Sequence, residues 1–90
     1  MANSKSALKR LRSAERRRLH NRVYRGRART AVKKARHLMN GGHVEEARQA
    51  VRAAAVALDK AAQKGIIHRN NAARRKSRLM QQLNQIERAV

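Results

Sequence analysis

The sequence predicts an all-α protein, a three-helix bundle whose first helix is elongated and protrudes past the other two. Three observations carry that expectation. Proline is absent from the 90 residues, so no position forbids a helix outright. Glycine stands only at Gly26, Gly41, Gly42 and Gly65, leaving few places where the backbone is punctuated. Between those places apolar residues recur at steps of three and four, the spacing that puts them on one helix face.

The first helix is expected over about residues 4–39. Asn3 and Ser4 are its candidate N-caps, and Asn40-Gly41-Gly42 is a stop-and-turn signal. Its apolar stripe is uneven. Tyr24, Ala28, Ala31, Ala35 and Leu38 keep the helical spacing, whereas the earlier part offers only Leu8, Leu11 and Leu19 among many cations. Gly26 costs a helix about 1 kcal/mol relative to alanine, and is expected to mark a close contact or a slight bend.

The second helix, about 43–63, has the clearest pattern: Val44, Ala47, Val51, Ala54, Leu58 and Ala61. Glu45 and Glu46 suit its positive start. Lys64-Gly65 reads as a basic last turn followed by a left-handed glycine. The third helix, about 68–88, begins near His68 or Arg69 and carries Ala72, Ala73, Leu79, Leu83, Ile86 and Val90 on one face. Helices two and three are about 30 Å long at the helical rise, so the first overshoots them by roughly 20 Å.

Ninety residues fit one domain, 1–90, with a thin interior. Of 37 hydrophobic residues 17 are alanine, and the one aromatic is Tyr24. Against 24 Lys and Arg stand only Glu15, Glu45, Glu46, Asp59 and Glu87, leaving a net charge of +19. So much charge of one sign repels itself in the compact state, and a polyanion relieves it.

Fourteen of the cations lie in the first 36 residues, with Glu15 their single acidic companion. Lys5, Lys9, Arg12 and Arg16 form one row on a helix, and Arg18, Arg22, Arg25 and Arg29 another. A run of mixed charge is usually a solvated face; dense rows of one sign point instead to phosphates. Arginine predominates, and its planar fork holds two phosphate oxygens or stacks on an unpaired base. Tyr24 sits on the apolar stripe and reads as a core residue, so shape and phosphate spacing dominate over base stacking. Arg69, Arg74, Arg75, Lys76 and Arg78 form a second cluster beside Asn70, Asn71 and Ser77. The bundle is then expected to be basic on opposite faces and to bridge separate RNA helices.

Other functions find no footing. The carboxylates are too few and scattered for acid–base chemistry, and the serines lack a nucleophile's context. His20, His37, His43 and His68 show no metal-ligand spacing, and Gly41-Gly42 lacks the surroundings of a phosphate-binding loop. No enzyme, cofactor, metal or small-molecule substrate is expected. Cysteine is absent, which removes disulfides and thiolate chemistry. No apolar run of signal-peptide or membrane-span type occurs, so the expectation is a soluble cytoplasmic chain with no membrane partner. An architectural DNA-binding protein of the bacterial nucleoid is the alternative use of this charge, though a dimer seam and a proline wedge are lacking.

Two stretches carry a specific likeness. The opening ANSKSALKRLR at residues 2–12, continued by Glu15 to Arg18 and by Asn21 through Thr30, resembles the start of the bacterial small-subunit ribosomal protein twenty family. DKAAQKGIIHRNNAARRKSRL at 59–79, followed by Leu83-Asn84, is similar to that family's second hallmark. The resemblance implies a three-helix bundle bound directly to 16S ribosomal RNA, a monomer beside other small-subunit components, with a role in assembly. Carried over by position, the RNA contacts it implies are Asn3, Lys5, Ser6, Lys9, Arg10, Arg12, Arg16, Arg17, Asn21 and Arg29 in the first stretch. In the second they are Lys64, His68, Asn70, Arg74, Lys76, Ser77 and Arg78. Gly26 stands where the family commonly has a small residue such as serine, so a hydroxyl contact there is lost.

Overall fold

In a computed structural model, which describes residues 4–89, the chain forms three α-helices: α1 over Lys5–Asn40, α2 over Val44–Gln63 and α3 over Arg69–Ala89. Ser4 is the N-cap of α1, its Oγ accepting from the Ala7 N–H at 3.2 Å. Asn3, the other cap candidate, lies outside the described residues, as does Val90. No acidic residue occupies the first turn of α1, so the positive end of its dipole meets Lys5 uncompensated.

Both inter-helix turns follow one plan. At the end of α1 the Gly42 and His43 N–H groups donate to Met39 O and Leu38 O, with Gly42 at φ 76°. At the end of α2 the Gly65 and Ile66 N–H groups donate to Ala62 O and Ala61 O, with Gly65 at φ 74°. This is the Schellman arrangement, completed by an apolar contact beyond the glycine; here Ile66 and Ala61 are both buried. An alanine at position 65 would have to adopt the left-handed conformation. Gly65→Ala is therefore expected to lower the unfolding free energy by about 1–2 kcal/mol, read from the urea midpoint.

α2 lies between its neighbours, packing on both, while α1 and α3 touch each other least. Its buried positions are Ala47, Ala50, Val51, Ala54, Leu58 and Ala61, with Val44 half-buried. α3 buries Ala72, Leu79 and Leu83, half-buries Ile86 and exposes Ala73. On α1 the buried line is Ala28, Val32, Ala35 and Met39. The expected line through Tyr24, Ala31 and Leu38 is thus displaced: those three are half-buried at its edge. α2 packs along the Tyr24, Ala31 and Leu38 flank of α1 and α3 along the Val32 flank, so the buried line runs between them, and an alanine-rich surface gives no large side chain to mark its centre. Among the described residues no polar or charged side chain is buried.

Two ion pairs tie α2 to α3. Arg48 Nε donates to Glu87 Oε1 at 2.7 Å, and Lys76 Nζ to Asp59 Oδ1 at 2.9 Å. The Glu87 hydrogen bond and its charge raise the Arg48 pKa above its ordinary value. Both pairs are substantially solvated, and such pairs contribute about 0–1 kcal/mol each.

Gly26 does not mark a close contact. A Cβ added there would meet nothing within 4 Å, so packing does not account for the missing side chain. The molecule measures 66 × 22 × 15 Å, because from Lys5 to His20 no side chain of α1 is buried. Those 16 residues form a rod of about 24 Å on which no other described helix packs closely enough to bury a side chain.

Candidate nucleic-acid interface

Charge is segregated by helix. α1 carries fourteen cations against Glu15, α3 six against Glu87, and α2 three against Glu45, Glu46 and Asp59. A neutral helix therefore packs on two basic ones, and the cations gather where α1 and α3 meet.

One row of α1 runs unbroken from the rod into the bundle. Arg18, Arg22, Arg25 and Arg29 line a concave surface together with Ala14, Arg17, Asn21 and Gly26. Arg25 and Arg29 then continue into a cleft beside α3, where they meet Ile66, Ile67, His68, Asn71 and Arg75. Farther along, a depression of about 550 Å³ is walled by Arg29, Lys33 and Arg36 on one side and Arg75 and Arg78 on the other. Arg25 is anchored there, its Nη2 donating to Ile66 O at 3.3 Å. The basic cluster of α3 thus shares a face with α1 through Arg75 and Arg78. The expectation that it forms an opposite face is corrected: α3 packs with this side toward the Arg29 flank of α1.

The opposite side of the rod belongs to Lys5, Lys9, Arg12 and Arg16. Two residues separate Arg16 from Arg18, which is about 200° around a helix. Cations therefore stand on two sides of α1 itself, all of them exposed.

The remaining expected contacts fall into distinct settings. Arg10 is exposed on the rod, and Ser6 Oγ lies 3.2 Å from Ser4 Oγ at the cap. Asn21 is half-buried beside Arg17 and Arg25. Lys64 places its Nζ 4.9 Å from the Tyr24 ring centre, with Arg27 on the same ring at 5.5 Å and His20 edge-on at 4.8 Å. Tyr24 is half-buried rather than central, and it holds the α2–α3 turn against α1. His68 starts α3: its Nδ1 accepts from the Asn70 N–H at 3.1 Å, which leaves Nε2 to face outward as a donor. Asn70, Arg74 and Ser77 are exposed. Lys76 is engaged by Asp59, and Asn3 lies outside the described residues.

Arg25, Lys33, Arg36, Asn71 and Arg75 of the cleft were not among the contacts implied by the resemblance, although the charge pattern placed Arg25 in a cation row and Arg75 and Asn71 in the second cluster. Their signal was present in part, since Arg25, Arg29 and Arg36 flank the stripe of Ala28, Val32 and Ala35. Which flank α3 would cover is a property of the packing. Among the described residues no three His, Asp or Glu side chains are grouped to hold a metal ion, and no helix is long and apolar enough to cross a membrane.

Known proteins share this pattern along nearly the whole chain. Small ribosomal subunit protein bS20 of Thermomicrobium roseum is 55% identical over 99% of this chain and 90% of its own. The protein of that name from Geobacillus kaustophilus is 51% identical over 97% and 98%. That from Roseiflexus is 56% identical over 88% and 86%. The two basic stretches, the glycine-capped turns and the long α1 all fall within residues 2–84, which match the family described as Ribosomal protein S20, and the chain belongs to that family.

Proposed function

We propose that the protein is a structural component of the small ribosomal subunit, binding 16S ribosomal RNA directly through its phosphates and helping it to fold and assemble. It works in the cytoplasm as a monomer among the other small-subunit components, without catalysis. One observation carries the reading: cations stand on two opposing sides of a helix in which, among the described residues, no side chain from Lys5 to His20 is buried. A rod of this kind is stable as a wedge between phosphate strands, and costs self-repulsion otherwise.

Crosslinking to deproteinised 16S RNA, with the linked residues mapped, tests this directly. Links are expected from both rows of α1 and from the cleft at Arg75 and Arg78. Preferential recovery with chromosomal DNA would favour an architectural role on the nucleoid instead.

Two further outcomes follow. Arg10 and Arg12 replaced together by alanine should reduce the slope of log affinity against log salt by about 1–2; an unchanged slope would mean that neither side chain reaches a phosphate. In amide exchange, the free protein should show weak protection from Lys5 to Arg18 and strong protection in α2, with the difference abolished on 16S RNA. Full protection of the rod without RNA would remove the coupling between binding and order.

A further inference from the structure

The outward side of α1 carries leucines that none of the other described residues buries. Leu8, Leu11, Leu19 and Val23 are 45%, 60%, 56% and 49% exposed. Leu8 and Leu19 lie three whole turns apart, and Gly26 lies two turns beyond. These three therefore fall within about 20° of one another around the axis, with Leu11 and Val23 about 60° to either side. The result is an apolar ridge pointing away from the buried line of Ala28 and Ala35. The Lys5–Arg16 row borders it on one side and the Arg18–Arg29 row on the other.

Two features of this ridge are unexplained by the fold or by simple phosphate binding. Glu15 stands on it, beside Arg18 at 2.7 Å, where a facing phosphate would repel it. Gly26 weakens the helix, yet packing leaves room for a side chain there.

We propose that this ridge seats in the shallow minor groove of a double-helical segment of RNA, with the two cation rows on the phosphates of the two flanking strands. The inference rests on the 16S RNA reading above and names the surface of that RNA. The minor groove of A-form RNA is wide and displays ribose and 2′-hydroxyl groups. Leucines meet the sugar faces, and the Glu15 carboxylate accepts from 2′-hydroxyls or guanine amino groups instead of opposing a phosphate. At Gly26 the absence of a side chain lets the sugar-phosphate strand approach the helix backbone. The minor groove of B-form DNA is about 6 Å wide, too narrow for a helix about 10 Å across, so the ridge selects RNA over DNA.

Hydroxyl-radical footprinting of 16S RNA with the full chain and with Gly26→Leu tests the seat. The wild type is expected to protect sugars on both strands across one minor groove. Gly26→Leu should lose those protections and bind about tenfold more weakly, the equivalent of one charge-assisted hydrogen bond, while its Tm is no lower. Leu19→Ser should weaken binding as well, keeping the test open if position 26 tolerates change. Protections confined to one strand, or a footprint and affinity unaltered in both variants, would overturn the proposal. So would loss of binding in these variants only within whole particles, which would turn the ridge toward a protein. Failure of the wild type to bind 16S RNA at all would instead overturn the reading on which this one rests.

Discussion

Raising monovalent salt from about 50 to about 200 mM is expected to weaken binding to 16S RNA about a thousandfold or more. The size follows from the geometry. Arg18, Arg22, Arg25 and Arg29 continue into Lys33, Arg36, Arg75 and Arg78, while Lys5, Lys9, Arg12 and Arg16 stand on the far side. If half of these neutralise a phosphate, about six counterions leave the RNA, and log affinity falls with a slope near −5. Filter binding across a salt series measures it. A slope shallower than about −2 would mean that most of the arginines remain solvated in the complex.

The other large effect lies in the core. Leu58 and Leu79 are 0% and 1% exposed, and they are the largest fully buried side chains of a core whose other members are mostly alanine. Leu58→Ala should cost about 3 kcal/mol. A 90-residue domain has roughly 5 kcal/mol at the lower end of the usual range, so more than half its stability would go. Thermal unfolding followed by circular dichroism should show a fall in Tm exceeding about 12 °C. Leu11→Ala, at a position 60% exposed, should change Tm by no more than about 2 °C in the free protein. Equal losses at the two positions would show that the rod is folded back onto the bundle.

The helices were legible in the sequence because their limits are chemical: Ser4 Oγ accepts the otherwise free Ala7 N–H in the first turn of α1, and Gly42 and Gly65 supply the positive φ that ends α1 and α2. The α2 stripe was legible too, its valines and leucine keeping step with the helix. On α1 the stripe was misplaced by a residue because Ala28, Ala31 and Ala35 differ little from one another, and burial moves toward Val32 only because α3 packs on that flank while α2 lies along Ala31 and Leu38. The cation rows could be read along α1, since they depend on local periodicity alone. The convergence of Arg75 and Arg78 with Arg29 could not, because it depends on which flank of α1 is turned toward α3. For the same reason Lys76, set among identical charges in the sequence, is drawn to Asp59 by a contact 17 residues away.

The three positive and three negative side chains of α2 give it no charge of its own. It packs on both basic helices without adding to the repulsion that already exists where Arg29, Lys33 and Arg36 face Arg75 and Arg78. Its contacts with both neighbours can therefore hold the bundle together without any anion to quiet the charge. Introducing lysines along the outer surface of α2 would end that neutrality, and the folded state of the free protein would be the first thing to weaken.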